Sequence, residues 1–268
     1  MTTSLTWVDA FSATPFGGNP AGVCLPSEPM ADEAMQSLAF ELGIAETAYV
    51  IPNHDADEFD LRWFSPATEI DLCGHATLAS AHVLRERGVI DGRDPVTFHT
   101  RSGPLIASFD GDRIELDFPA APMHPCPMPE SLRGQWDEDA IIEVGQTGFF
   151  TFVVLDRESA VRDYQPDLAA ISAVPLPALL LTAAAEHDSA SEYDFVVRVF
   201  GPNVGIDEDP ATGSAQCTAG PYWAAALGRA ELEARQVSPR GAVLYVRPAG
   251  ERVHIGGHAV TIFSGDLC

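Results

Sequence analysis

Phe64-Ser65-Pro66 … Ile70-Asp71-Leu72-Cys73-Gly74-His75 is echoed by Phe200-Gly201-Pro202 … Ile206-Asp207-Glu208-Asp209-Pro210-Ala211-Thr212-Gly213-Ser214. Arg62/Arg198, Phe64/Phe200, Pro66/Pro202 and Ile70/Ile206 differ by 136 positions. After three extra residues in the second copy, Gly74/Gly213, Arg101/Arg240, Leu105/Leu244, Gly111/Gly250 and Arg113/Arg252 differ by 139. A run of matched spacings with one small insertion points to a duplicated unit, with one active site expected where the halves meet.

Outward from the repeat, each copy reads as strands, a helix, then strands. In the first, Val8 to Phe11, Gly22 to Leu25, Thr47 to Ile51 and Phe59 to Phe64 read as strands, and Ala31 to Leu42 as a helix stopped by Gly43. A helix from Gly74 to Arg87 follows, and Asp110-Gly111-Asp112 turns a hairpin. In the second, strands are expected at 149–155, 178–182, 195–200, 242–246 and 252–255, with a helix from Gly213. The proline-rich stretch 120–129 reads as a linker between halves 1–122 and 130–268, with the last strand free to cross back to the first half. The helix after Gly74 is apolar over much of its surface and Ala215 to Leu227 almost all round, so each should be enclosed by a curved sheet. Pro221 should kink the second or restart it.

Composition excludes several functions. Of 268 residues 46% are hydrophobic and 20% charged, which fits a globular protein with a full core. No run approaches the ~20 apolar residues that span a bilayer, and no signal peptide is visible. Five cysteines without a CxxC pair suggest a reducing, cytoplasmic setting. With 39 acidic against 15 basic residues the net charge is −24, which argues against nucleic acid and anionic membranes as partners. Every basic residue is arginine, so a lysine Schiff base, a Walker lysine and a lysine general base are excluded. A lysine-free acidic chain also fits a high-salt habitat or a GC-rich genome.

The repeats set up a chemistry. A helix start carries free N–H groups and positive dipole, so two of them make a carboxylate receptor, with Gly74 and Gly213 admitting the ligand to the backbone. Cys73, His75, Asp209, Thr212 and Ser214 are the side chains at those starts. Glu46 is the one acid in the apolar run Gly43 to Val50, a setting expected to raise its pKa and suit proton transfer at carbon. Asn19, in the turn Gly17-Gly18-Asn19, is a weaker candidate. Gln216, Tyr222 and Trp63 are placed to shape specificity. His254 and His258 flank Gly256-Gly257 with no acidic third ligand, so no metal site is expected. Cys217 reads as core, and Cys24, Cys126 and Cys268 carry no motif.

Asn19-Pro20-Ala21-Gly22-Val23, Glu46-Thr47-Ala48, Arg62-Trp63-Phe64-Ser65-Pro66, Asp71-Leu72-Cys73-Gly74-His75-Ala76-Thr77 and Glu208 through Ala215 resemble the PhzF (phenazine biosynthesis) family from about residue 5 to the C-terminus. The resemblance implies a diaminopimelate epimerase-like α/β (α+β) fold: two pseudo-symmetric halves, each a curved, barrel-like mixed sheet around a central helix. It implies a homodimeric isomerase with no cofactor. Glu46 matches the family's catalytic acid/base, which moves a proton between carbons of dihydro-3-hydroxyanthranilate. His75, Asp209 and Ser214 match residues that hold the substrate and assist protonation, and Gly74 and Gly213 match donors to its carboxylate.

Two-base epimerases of this fold place a cysteine at each helix start; here the second place holds Thr212, too weak an acid for that work. An isomerase of a small carboxylate is therefore the first expectation. An epimerase or racemase using Cys73 and a non-enzymatic binding protein are the alternatives. Glu46, whose counterpart at the 136 offset is Thr182, makes the expected chemistry one-sided.

Overall fold

The computed structural model describes residues 3–53, 58–186 and 193–267; Cys268 lies outside them. The chain divides into two units, Met1–Asp117 with Gly256–Cys268, and Phe118–Ile255.

The first unit runs β1 (Ser4–Ala10), β2 (Asn19–Leu25), α1 (Asp32–Leu42), β3 (Glu46–Pro52), β4 (Glu58–Phe64), β5 (Glu69–Ile70), α2 (Gly74–Glu86), β6 (Val96–Thr100), β7 (Gly103–Asp110) and β8 (Arg113–Pro119). The second runs β9 (His124–Pro125), β10 (Ile141–Gln146), β11 (Phe150–Leu155), α3 (Glu158–Arg162), α4 (Leu168–Ser172), β12 (Ala178–Ala184), β13 (Phe195–Gly201), β14 (Ile206–Asp209), α5 (Gly213–Leu227), β15 (Leu232–Gln236), β16 (Ala242–Ala249) and β17 (Arg252–Gly257). The last strand, β18 (Ala259–Asp266), pairs with β1 in the first unit.

Pairing repeats between the units. In the first, β1–β2 is antiparallel, β2–β3 parallel, β3–β4 antiparallel, β4–β6 parallel and β6–β7 antiparallel. In the second, β10–β11, β11–β12, β12–β13, β13–β15 and β15–β16 follow the same alternation.

Register corrects two of the sequence pairings. Trp63 lies opposite Ile70, and Val199, its 136-offset partner, lies opposite Asp209. The structural counterpart of Ile70 is thus Asp209, not Ile206, and the three extra residues precede β14, where Pro202–Val204 forms a short 3-10 turn closed by Gly205 at φ 84°. Likewise Tyr49 lies opposite Arg62 and Leu181 opposite Arg198, so Glu46 corresponds to Ala178 rather than Thr182. The link from β12 to β13 is longer than that from β3 to β4, which shifts the offset upstream of it.

α2 is buried from His75 through Ala81 and at Val83 and Leu84, and it packs against β1, β2, β3, β7 and β18, as its apolar surface requires. α5 meets the same expectation only in part. Its first two turns are buried against β12, β15 and β16, but Ala225, Ala226 and Leu227 are exposed. Alanine carries little apolar area and favours helix, so this turn survives uncovered. Pro221 does not restart the helix. Proline cannot donate to the Cys217 carbonyl one turn earlier, and Ala121 N–H takes that acceptor at 2.9 Å. Thr218 Oγ1 in turn donates to Ala121 O at 2.8 Å. The proline-rich stretch 120–129 lies within the second unit, its start pinned along α5 and Cys126 N–H bonded to Val144 O.

Candidate active site

Four residues singled out from the sequence converge in the first unit. β2 and β3 run parallel, with Ala21 opposite Glu46, so Asn19 and Glu46 lie at the starts of neighbouring strands. Cys73 is the N-cap of α2, in extended backbone, and His75 is the second residue of the helix. His75 joins the set: its Nε2 lies 3.0 Å from Glu46 Oε2, its Nδ1 3.3 Å from Asn19 Nδ2 and 3.5 Å from Cys73 Sγ. All four side chains are buried.

Burial opposes a charge on His75, but the adjoining Cys73 and Glu46 outweigh it and hold the imidazole well above its usual pKa. Burial pushes the Cys73 thiol up, against the pull of the His75 ring. The Asn19 carboxamide suits either state of the ring. Nδ2 donates to a bare Nδ1, and a half-turn presents Oδ1 to Nδ1–H. A buried carboxylate beside an imidazole can take a proton from carbon and return one.

The remaining candidates lie in the second unit. Asp209 ends β14 and accepts a hydrogen bond from the Thr212 hydroxyl. Thr212 is the N-cap of α5, and its hydroxyl is thereby committed to Asp209 rather than to the helix. Gln236, which sequence reading passed over, locks the loop. Its Oε1 accepts from Thr212 N–H at 2.7 Å, and its Nε2 donates to Asp209 O at 2.6 Å and to Thr212 Oγ1 at 3.1 Å. The signal was faint: a lone amide at the end of an otherwise ordinary strand. Gly213 opens α5 and Ser214, next to it, is exposed.

Neither N-cap residue, Cys73 or Thr212, caps its helix with its own side chain, so the first N–H groups of α2 and α5 keep their affinity for an anion. Gly74 and Gly213 both have ordinary φ, so their role is the missing side chain and not a special backbone. Of the specificity candidates, Gln216 is fully buried and neither of its amide atoms, nor the buried Trp63 Nε1, has a hydrogen-bond partner among the described residues. Tyr222 packs edge-on against Phe152 and Trp223, and burial with Glu143 nearby raises its phenol to about 12. Thr182 is structural: it donates to Val196 O at 2.7 Å and accepts from Trp223 Nε1 at 2.8 Å.

Comparison with known proteins extends these observations. The family model described as phenazine biosynthesis-like protein (PhzC-PhzF) matches residues 8–265. A relative from Pseudomonas aeruginosa, named an uncharacterized isomerase, is 43% identical over 97% of this chain and 96% of its own. A crystal structure of a PhzF-family phenazine biosynthesis protein from Enterococcus faecalis superimposes with a TM-score of 0.92 at 35% identity, covering 100% of both chains. A probable proline racemase from Agrobacterium radiobacter shares the fold at a TM-score of 0.65 and 14% identity, over 100% of this chain and 93% of that one.

Proposed function

We propose a cofactor-free proton-transfer mechanism for this chain, which belongs to the phenazine biosynthesis-like family and is an isomerase. The carrying observation is the 3.0 Å approach of His75 Nε2 to Glu46 Oε2. In this reading the Glu46 carboxylate removes a proton from a carbon next to a double bond of a small carboxylate substrate. The electron pair shifts along the conjugated system, and a proton returns at a different carbon from Glu46 or from the His75 imidazolium beside it. No atom is gained or lost, so no co-reactant is needed.

The uncapped start of α2, at Gly74, suits the substrate carboxylate, and the family resemblance implies the same role for Gly213. Asp209, oriented by Thr212, and Ser214 hold the substrate, as the family resemblance implies. Cys73 and Asn19 fix the His75 ring. The protein is proposed to be a cytoplasmic homodimer, the dimer being what the family resemblance implies. Four free thiols, Cys24, Cys73, Cys126 and Cys217, favour a reducing compartment, and no helix among the described residues is long and apolar enough to cross a membrane.

Glu46→Gln keeps the shape and removes the base. Turnover of dihydro-3-hydroxyanthranilate or a related unsaturated carboxylate should fall by ~10²–10⁴ with the fold intact. Wild-type product formed in deuterium oxide should carry deuterium at the newly protonated carbon. Unimpaired turnover by Glu46→Gln would sink the mechanism. Deuterium exchange at one stereocentre, lost on Cys73→Ala, would favour an epimerase.

A further inference from the structure

We propose that Glu46, Cys73 and His75 form a capture site for a zinc-like divalent cation, and that occupancy shuts off proton transfer; the second part rests on the function proposed above. Among the described residues these three are the group whose carboxylate, thiol and imidazole ligand atoms all lie within 4.8 Å of one another.

Two edges of the triangle fit. His75 Nε2 lies 3.0 Å from Glu46 Oε2 and 3.8 Å from Cys73 Sγ. Ordinary zinc bond lengths in a tetrahedron give edges of ~3.3 Å for N···O and ~3.6 Å for N···S. Both edges at Nε2 are thus within a few tenths of an ångström of these values, and the third, between Glu46 and Cys73, spans no more than 4.8 Å. The fourth corner stays open for water, the pattern of zinc sites with three protein ligands.

Donor chemistry selects the ion. Magnesium and calcium prefer all-oxygen shells, whereas a mixed sulfur, nitrogen and oxygen set suits zinc or cobalt(II). Coordination sends the thiol proton and any Nε2 proton to solvent, and the thiolate and carboxylate then balance the two positive charges. Cys73 and Glu46 are held at a helix start and a strand start, so little ordering remains to be done on binding. Asn19 Nδ2 faces Nδ1, and a half-turn of the carboxamide lets Oδ1 receive Nδ1–H from a metal-bound ring, the usual supporting contact of a ligating histidine. A cation in this position ties up the Glu46 lone pair that the isomerisation uses.

The test uses the full chain after chelator treatment. Cobalt(II) titration should produce thiolate-to-cobalt charge-transfer absorption that saturates at one ion per chain and is displaced by zinc. Cys73→Ser and His75→Gln should each weaken binding by at least ~100-fold, since losing even a supporting contact costs up to that much. Zinc should also protect Cys73 of the unaltered protein from iodoacetamide, read by peptide mass spectrometry, which needs no variant to fold. Absence of the charge-transfer band, or an unchanged Cys73 alkylation rate under saturating zinc, would overturn the site. Zinc inhibition of turnover should track occupancy; a loaded enzyme that still turns over would overturn the shut-off. An active Glu46→Gln variant, beside a saturable cobalt spectrum of the unaltered protein, would instead refute the proposed mechanism while leaving the site standing.

Discussion

Arg198 closes a two-pronged ion pair on Glu208, Nε to Oε1 at 2.7 Å and Nη2 to Oε2 at 2.9 Å. Arg62 does the same to Glu69 in the first copy, both bonds at 2.7 Å. Each guanidinium also lies over the ring two residues on, Phe64 or Phe200. The pairs differ in setting. Arg198 is buried and its Nη1 also donates to the carbonyls of Val161, Arg162 and Tyr164, whereas Glu69 has a second cation in Arg101.

Removing Arg198 strands a half-buried carboxylate and three carbonyls, so Arg198→Ala should cost ~3–5 kcal/mol. Arg62 is itself less buried than Arg198, and Arg62→Ala leaves Arg101 on Glu69, so its cost should be smaller, ~1–2 kcal/mol. Urea unfolding of the two variants checks the order.

Thr182 is a buried relay between the Val196 carbonyl and the Trp223 indole. Thr182→Val keeps the shape but leaves Nε1–H buried and unbonded, a loss of ~1–3 kcal/mol. Trp223→Phe on top of it should restore part of that loss, because the orphaned donor is gone. A double-mutant cycle of unfolding free energies reads the coupling.

His82 in α2 sets an acid limit on stability. Burial lowers its pKa below 6.5, with Arg85 adding and Glu86 opposing, and its Nε2–H donates to Thr261 Oγ1, which itself donates to Glu86. The folded state thus binds this proton less readily than the unfolded chain. The contribution is complete above 6.5 and is lost as pH falls through the lower folded value. Urea midpoints should drop between about pH 7 and 5, and His82→Gln should flatten that drop.

Thr212 positions Asp209 and is not proposed to react. Thr212→Val should lower kcat/KM by ~10–100-fold through loss of a hydrogen bond to a charged group. Thr212→Ser should recover most of it, since the hydroxyl alone is needed. Steady-state kinetics of the pair decides, and equal defects in both would refute the positioning role.

Much of this protein was legible in its residues because the signals were local. The periodicity around Ala34, Leu38 and Leu42 with Gly43 in a left-handed C-cap, and the Asp110-Gly111-Asp112 hairpin, depend on neighbours a few positions apart. Glu46 stood out as one acid in an apolar run. Gln236 did not, because what distinguishes it is a partner 24 residues upstream. The Ile70/Ile206 match misled because identity at a fixed offset ignores where an insertion falls in the strand register.

The sequence by itself determined that the chain is a duplication, most of its longer elements though not β10, β15, α3 or α4, and that no lysine chemistry is available. Only the tertiary structure decided that Asn19, Glu46, Cys73 and His75 share one buried cluster, and that Asp209 stands where the first copy has Ile70. Local backbone preference and apolar periodicity act within a turn or a strand and can be read along the chain. The meeting of side chains from two parallel strands and a helix start depends on strand register and packing, which no short stretch encodes.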